Sequence, residues 1–472
     1  MITLPAPLLV ALIPIAAAIP AFLLRRWRSL EVLLAVGACL SVLLVLSPPV
    51  SGALELFTLR IEVGAPLVLM GRVMRVGGAD RLTLALLFGC AAFLFALSRY
   101  APQGWPYVPV GLVMLSLFSM ALLIRPFLFS GLAFEAAAAF GAVMIQAERV
   151  GTLSTNAASR YLILSTLALP AFLGAGYVIS QAAGIADPAL QLASYQPAAL
   201  LMVSGVCLLA GAIPIYTWIS GVSNQASPLT TAFFATIATG AAAFLLLSFN
   251  EEYAWFASAP DVRAILTACG IGTAVLGGVI GWAQRSYSRI LACGLSVELG
   301  AMFLMLASGT RAAVEAAVFS IPARAASLCL FGVGLTLLRM RAGGDDFQRV
   351  RGLGRRYPWV ALGVTLGGLS LAGLPGTVGF VTRWLNMRAI GDVDLEAVMI
   401  LLLAGVSVGW AVLRGAFSLL AEPDAAGTIE TEPRGVALTI AAGALAVVAL
   451  GLWPGLIAGL AKGIAMSYTF YR

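Results

Sequence analysis

Four ionisable side chains lie inside stretches that are otherwise apolar: Glu135 in GLAFEAAAAF, Glu298 in GLSVELGAM, Arg324 in SIPARAASLCLF and Arg383 in LAGLPGTVGFVTRW. Ionisable groups are costly in a bilayer, so within a membrane segment they mark ion or proton pathways by default. A carboxylate whose charged form is penalised by burial can exchange protons near neutral pH. An arginine cannot, because its guanidinium keeps its proton; it holds a charge, orients water or clamps a carboxylate. The chain has no histidine and a single lysine, Lys462, so every cation among these four is of the fixed kind.

Each of these residues also has a purely structural reading. Arg125, Arg160 or an arginine of another helix could neutralise Glu135, and Glu298 could pair with Arg324 or Arg289. Arg383 stands near the end of its apolar run and could reach an interface along its own aliphatic stem. Glu315 falls close to a helix start and reads as interfacial. Arg285 and Arg289, in QRSYSR, read as orientation charges.

The elements that must position these groups follow from composition. Of 472 residues, 61% are hydrophobic and 10% charged, far below the quarter or so of charged residues in a soluble domain. The apolar runs are continuous rather than alternating, which points to membrane-spanning helices and away from a β-barrel. The net charge of +7 is no sign of nucleic acid, because the arginines gather in short loops, where orientation signals belong. The six cysteines lie in apolar segments without metal or disulfide spacing, and no phosphate-cradling or dinucleotide motif is present, so no cofactor is expected. The first apolar run has its charges after it, unlike a signal peptide, and reads as a retained helix.

Apolar windows predict an all-α polytopic fold of about 14 helices, near 7–24, 30–48, 82–98, 108–124, 127–146, 161–181, 198–217, 229–249, 263–282, 290–308, 314–338, 358–384, 395–420 and 435–459. Arginine-rich connections such as RRWRS, QRSYSR and RMRAGGDDFQRVRGLGRR alternate with neutral or acidic ones such as NEEYAWFASAPDVR. The positive-inside rule then places the N-terminus outside a cell inner membrane. The loop over 49–81 carries arginines on the outer side, where long loops weigh less. Two helices are interrupted, at Pro214 in AGAIPIYTW and at Pro375–Gly376 in LAGLPGTVGF. Paired breaks at matching places point to inverted repeats around a mid-membrane path. The expected organisation is three helices and a long outer loop in 1–107, a first repeat in 108–250, a second in 251–420 and a last helix in 421–472. Around the first break, residues 216–239 are unusually polar, with Tyr216 and Thr239 among them; they could line a hydrated half-channel or satisfy backbone freed by Pro214 and Pro228.

Four blocks then suggest a family: SRYLILSTLALPAFLGAGYVIS (159–180), IPIYTWISGVSNQASPLTTAFFATIATGAAAF (213–244), AQRSYSRILACGLSVELGAM (283–302) and GLGRRYPW…LSLAGLPGTVGFVTRW (352–384). In order and content the chain resembles the antiporter-like membrane subunits of respiratory complex I, of membrane-bound hydrogenases, of cation/proton antiporters and of inorganic-carbon uptake complexes. The resemblance implies a subunit that works beside other membrane subunits and a peripheral cytoplasmic partner. It also implies a polar axis on which a glutamate of the fifth helix and lysines of the seventh, eighth and twelfth move protons. Glu135 matches that glutamate. The lysine places fall on Leu209, on Thr239 or Gly240, and on Arg383; the histidine place after the first break is Tyr216, and in the eleventh helix a histidine place and a lysine place fall on Ala323 and Ser327, near Arg324.

Every family lysine that can be placed is therefore missing. Either the chain is a scaffold with a degenerate proton path, or protons move by a remodelled path through Glu135, Glu298 and bound water. No catalytic centre is visible in this chain, which could still serve a proton-translocating oxidoreductase. Two rival readings are the membrane subunit of an inorganic-carbon uptake complex and a stand-alone cation/proton antiporter. Because the chain stops soon after its last predicted helix, the long lateral helix of some relatives is not expected.

Overall fold

The structure is a computed structural model, and it describes all residues except 1, 57–58, 70, 102, 148–155, 214–216, 258, 392–393, 423–431 and 471–472. Strand β1 (Ile2–Pro5) leads into helices α1 (Ala6–Leu23) and α2 (Arg28–Val45). Strands β2 (Ala53–Leu56), β3 (Leu59–Glu62), β4 (Leu67–Leu69) and β5 (Arg72–Met74) occupy the long loop before α3 (Gly78–Ser98) and α4 (Tyr107–Leu123). After β6 (Ile124–Arg125) come α5 (Ser130–Ala147), α6 (Asn156–Thr166), α7 (Ala168–Ala182), α8 (Pro188–Ala210), α9 (Thr217–Gln225), α10 (Pro228–Phe233), a π-helical turn (Phe234–Ala238) and α11 (Thr239–Glu252). The second half holds α12 (Ala254–Ala257), α13 (Pro260–Ala283), α14 (Tyr287–Ser308), α15 (Arg311–Ala342), α16 (Leu353–Arg356), α17 (Pro358–Ala372), α18 (Val378–Gly391), α19 (Leu395–Leu420), α20 (Arg434–Leu452) and α21 (Gly455–Ser467).

Eleven of the described helices or continuous helix pairs are long and apolar enough to cross a membrane, and four shorter ones are also apolar. A chain in lipid must satisfy its backbone internally, and these helices do so. Three rods form the centre. The apolar stretches of Pro228–Glu252 and Tyr287–Ser308 are wholly buried by protein, and 89% of that in Arg311–Ala342 is buried. A helix that is apolar all round belongs in such a position. The surrounding helices keep an exposed apolar face, as a lipid-facing surface requires.

Local signals set the ends. Thr310 and Asp394 cap α15 and α19 by accepting the amides of Ala313 and Ala397, and Ser227 accepts that of Thr230 at the start of α10. The window over 161–181 is split at Leu167, where Pro170 cannot donate to the Thr166 carbonyl. The expected helix over 198–217 ends earlier, at Ala210, and a separate helix begins at Thr217; Pro214 and Tyr216 lie outside the described residues. The last expected helix, 435–459, is two helices parted at Trp453 and Pro454.

The 49–81 loop is not irregular. Strand β3 pairs in parallel with β1 and antiparallel with β2, while β5 lies between β4 and β6. Its arginines have local work: Arg60 pairs with Glu62, Arg75 with Glu252, and Arg81 donates to the carbonyls of Leu46, Ser47 and Pro48 at the end of α2. A cation at a helix C-terminus is favourable. These charges are committed to structure on the side where orientation signals are scarce.

The break between α17 and α18 is built on left-handed glycines, Gly373 at φ +92° and Gly376 at φ +84°, conformations that side chains resist. Pro375 and Gly376 form its exposed tip, so the second break stands where the sequence placed it. Just beyond, α18 folds back so closely that a Cβ on Gly379 would collide with the Ser370 carbonyl. Gly379→Ala is therefore expected to lower thermal stability in detergent by about 1–3 kcal/mol or more, the usual range for overpacking; an unchanged midpoint would contradict this packing.

Candidate functional site

Charge is concentrated where α14, α15 and α18 meet. Arg383, on the second half of the broken helix, places Nη2 3.1 Å from Oε1 of Glu298 on α14. Both are nearly inaccessible, at 4% and 5% exposure. Arg383 also reaches the Leu371 carbonyl, in the last turn of α17, at 3.5 Å. Gly373 makes the room: a Cβ there would lie 2.7 Å from the Arg383 Cγ. The break thus frees space and a carbonyl for the cation that follows it, and Arg383 does not snorkel to an interface.

Arg324 lies one helix away on α15 and is 2% exposed. Its Nη2 meets only the Met302 sulfur, at 3.8 Å, and its Nε and Nη1 have no partner among the described residues. The carboxylate acting on it is Glu298. Two guanidiniums therefore share one carboxylate. Asn386, one turn after Arg383, is 1% exposed with neither amide atom partnered among the described residues, and Ser327 meets Ser370 at 2.8 Å across α15 and α17. Such groups can hold water and orient it. Amides and hydroxyls of this kind do not themselves carry a titratable proton near neutral pH.

Glu135 stands apart. Its Oε1 accepts the Thr166 hydroxyl at 2.8 Å, at the point where α6 ends, while Oε2 is inaccessible and has no hydrogen-bond partner among the described residues. Among the described residues it has no ion pair. Arg125 does not neutralise it: that guanidinium lies 3.3 Å from Asp80 and 3.4 Å from Glu252. Arg160 is exposed. Glu135 is thus a half-buried carboxyl with one hydroxyl donor, and Thr166 is a partner that the sequence did not single out.

Between the two sites the lysine places are filled by other chemistry. Leu209 is buried, and Thr239 is fully buried at the end of the π-helical turn with its hydroxyl donating to the Ala235 carbonyl at 2.6 Å. A void of about 10 Å³ separates Thr231, Thr239 and Trp218 from Leu295 and Leu299, room for about one water. A larger cavity of about 250 Å³ opens beside Ser220, Asn224, Gln284, Arg289 and Ser296. Arg289 therefore faces this cavity and does not meet Glu298. At the same end Arg339 spans two elements: it pairs with Asp345 at 3.3 Å and donates to the Ser223 and Ala226 carbonyls that close α9.

Residues 112–408 match the transmembrane family described as NADH:quinone oxidoreductase/Mrp antiporter. NADH-quinone oxidoreductase subunit N of Acidithiobacillus ferrooxidans is 28% identical over 342 residues, 68% of either chain. Subunit N 1 of Solidesulfovibrio magneticus is 31% identical over 334 residues, 67% of this chain and 70% of that one. Among solved structures, a chain of the archaeal membrane-bound sulfane sulfur reductase superposes over 98% of this chain and 97% of its own, with a TM-score of 0.81 at 19% identity. A chain of respiratory complex I from Thermus thermophilus covers 97% and 99%, with a TM-score of 0.72 at 20% identity. At those identities the likeness is one of fold.

Proposed function

Because this chain belongs to the NADH:quinone oxidoreductase/Mrp antiporter transmembrane family, we propose that it is an antiporter-like subunit of a complex I-like membrane assembly whose own proton path is degenerate. It sits beside other membrane subunits and a peripheral cytoplasmic partner, in an inner membrane with its N-terminus outside. The helix end at Ala210 and the break at 373–377 belong to two inverted repeats. One observation carries this reading: the Arg383–Glu298 ion pair stands where the resemblance calls for a lysine. A lysine in such a place can be desolvated into neutrality and back. An arginine keeps its proton at neutral pH and so supplies a fixed charge there instead of a switch.

Two experiments test this. Purification of the tagged chain from native membranes in mild detergent is expected to bring down iron–sulfur and quinone-site subunits in stoichiometric amounts. A lone zinc-binding partner, or none, would overturn the assembly. Within the purified complex, Glu135→Gln is expected to leave proton transport per turnover unchanged, measured in vesicles with a pH-sensitive dye. A loss of transport with assembly intact would establish the remodelled path instead.

A further inference from the structure

At the arginine-rich end of the bundle a cleft of about 700 Å³ opens between the α13–α14 connection, residues 346–351 and the end of α19. Arg285, Arg349, Arg351 and Arg414 line it, against one carboxylate, Asp346. None of the four guanidiniums has an ion pair among the described residues. Two are held in place by neutral groups: Arg414 donates to the carbonyls of Trp282 and Gln284, the latter at 3.0 Å, and Arg349 donates to that of Gly343 at 3.1 Å. The protein thus gathers four cations here around one carboxylate and fixes two of them without neutralising them. Such a surplus of positive charge suits an anion from outside the chain.

The surroundings say which kind. Trp282 and Trp410 stack at 5.8 Å just below the cleft and are 52% and 43% exposed. Trp282 lies in the last turn of α13, and tryptophan at a helix end belongs at the headgroup level of a bilayer. An exposed apolar stripe runs along α19 from Phe417, 70% exposed and beside the cleft, through Leu413 and Trp410 to Val406 and Leu403. A cationic cleft that continues into an aromatic pair and an apolar stripe fits an amphiphile with an anionic head. Guanidinium binds phosphate oxygens in a bidentate fork, which suits a phosphodiester. Basic pockets between membrane helices take anionic headgroups by this chemistry.

We propose that this cleft binds the phosphodiester headgroup of an anionic phospholipid, whose acyl chains lie along the exposed stripe of α19. None of the residues lining the site belongs to the Glu298–Arg383 cluster or to the surroundings of Glu135. It is tested on the full chain, purified with whatever subunits accompany it, delipidated, and then titrated with phosphatidylglycerol, with phosphatidylcholine and with inorganic phosphate. Thermal midpoint and retained lipid by native mass spectrometry are the readouts. The expected result is stabilisation and retention by phosphatidylglycerol at concentrations about tenfold lower than by phosphatidylcholine, with the preference weakening as salt rises. In Arg285→Gln/Arg351→Gln the preference is expected to vanish while the lipid-free midpoint stays put, since neither side chain holds the fold. Equal response to both lipids would overturn the proposal, as would an unchanged preference in the double variant. Stabilisation by inorganic phosphate alone to the same extent would replace the lipid by a soluble anion. An acidic protein found covering the cleft would overturn it as well.

Discussion

Glu298→Gln is expected to cost the fold about 3–5 kcal/mol, the range for removing one partner of a buried ion pair. The loss comes less from the vanished attraction than from what remains. Arg383 keeps its charge at 4% exposure, and Arg324 loses the carboxylate that acts on it. Glutamine can still accept a hydrogen bond from Arg383, so shape and packing are nearly conserved and charge is the variable tested. The measurement is the thermal midpoint, and the monodisperse fraction, of the purified assembly in mild detergent. Glu315→Gln, on a half-buried carboxylate near the start of α15, serves as the control and is expected to shift stability by no more than about 0.5 kcal/mol. The double variant Glu298→Gln/Arg383→Gln is expected to recover a large part of the loss, because the two groups are in contact and their effects do not add. A Glu298→Gln protein as stable as the parent would show that the pair holds nothing together.

How much of this could be read from the sequence differs by kind of feature. Helices were legible because lipid allows little else, and the break at Pro375–Gly376 because proline and glycine punctuate any helix. The four interior charges were legible for the same reason: each is costly where it stands. Their partners were not. Glu298 could have met Arg324 or Arg289 by helix count alone, and only the fold-back of α18 over α17 brings Arg383 to it instead. Arg125 looked available to Glu135, yet β6 turns it toward Asp80 and Glu252. The small sheets escaped because their strands are three or four residues long and mostly exposed, too short to show alternation. Thr166 and Asn386 escaped because hydroxyls and amides within helices more often bond their own backbone than anything distant. The parting of α20 from α21 was written in Trp453-Pro454-Gly455, but an apolar window runs across a proline without noticing it.

The charge count of the central cluster leads to the opposite result for its third member. Arg324→Met is expected to leave stability unchanged or to raise it, by up to about 4 kcal/mol, the range seen when a buried charge is exchanged for a well-packed apolar side chain. Arg324 makes no direct ion pair among the described residues, and its one polar side-chain contact there is a weak one to a thioether. Methionine is unbranched and adaptable, and it can follow most of the path of the arginine stem beside Met302. The substitution would leave Glu298 and Arg383 as a balanced pair in place of two cations on one carboxylate. The two variants therefore move the cluster in opposite directions, Glu298→Gln adding a net positive charge and Arg324→Met removing one. Their combination should be more stable than Glu298→Gln alone. The outcome also bears on function, because a cation kept at a cost to the fold must act on something. If Arg324→Met is more stable and assembles with its partners unchanged, the cation is there for a field or an anion within the complex. A drop of several kcal/mol would show that Arg324 is already compensated within this chain, and the count of two cations on one carboxylate would fail.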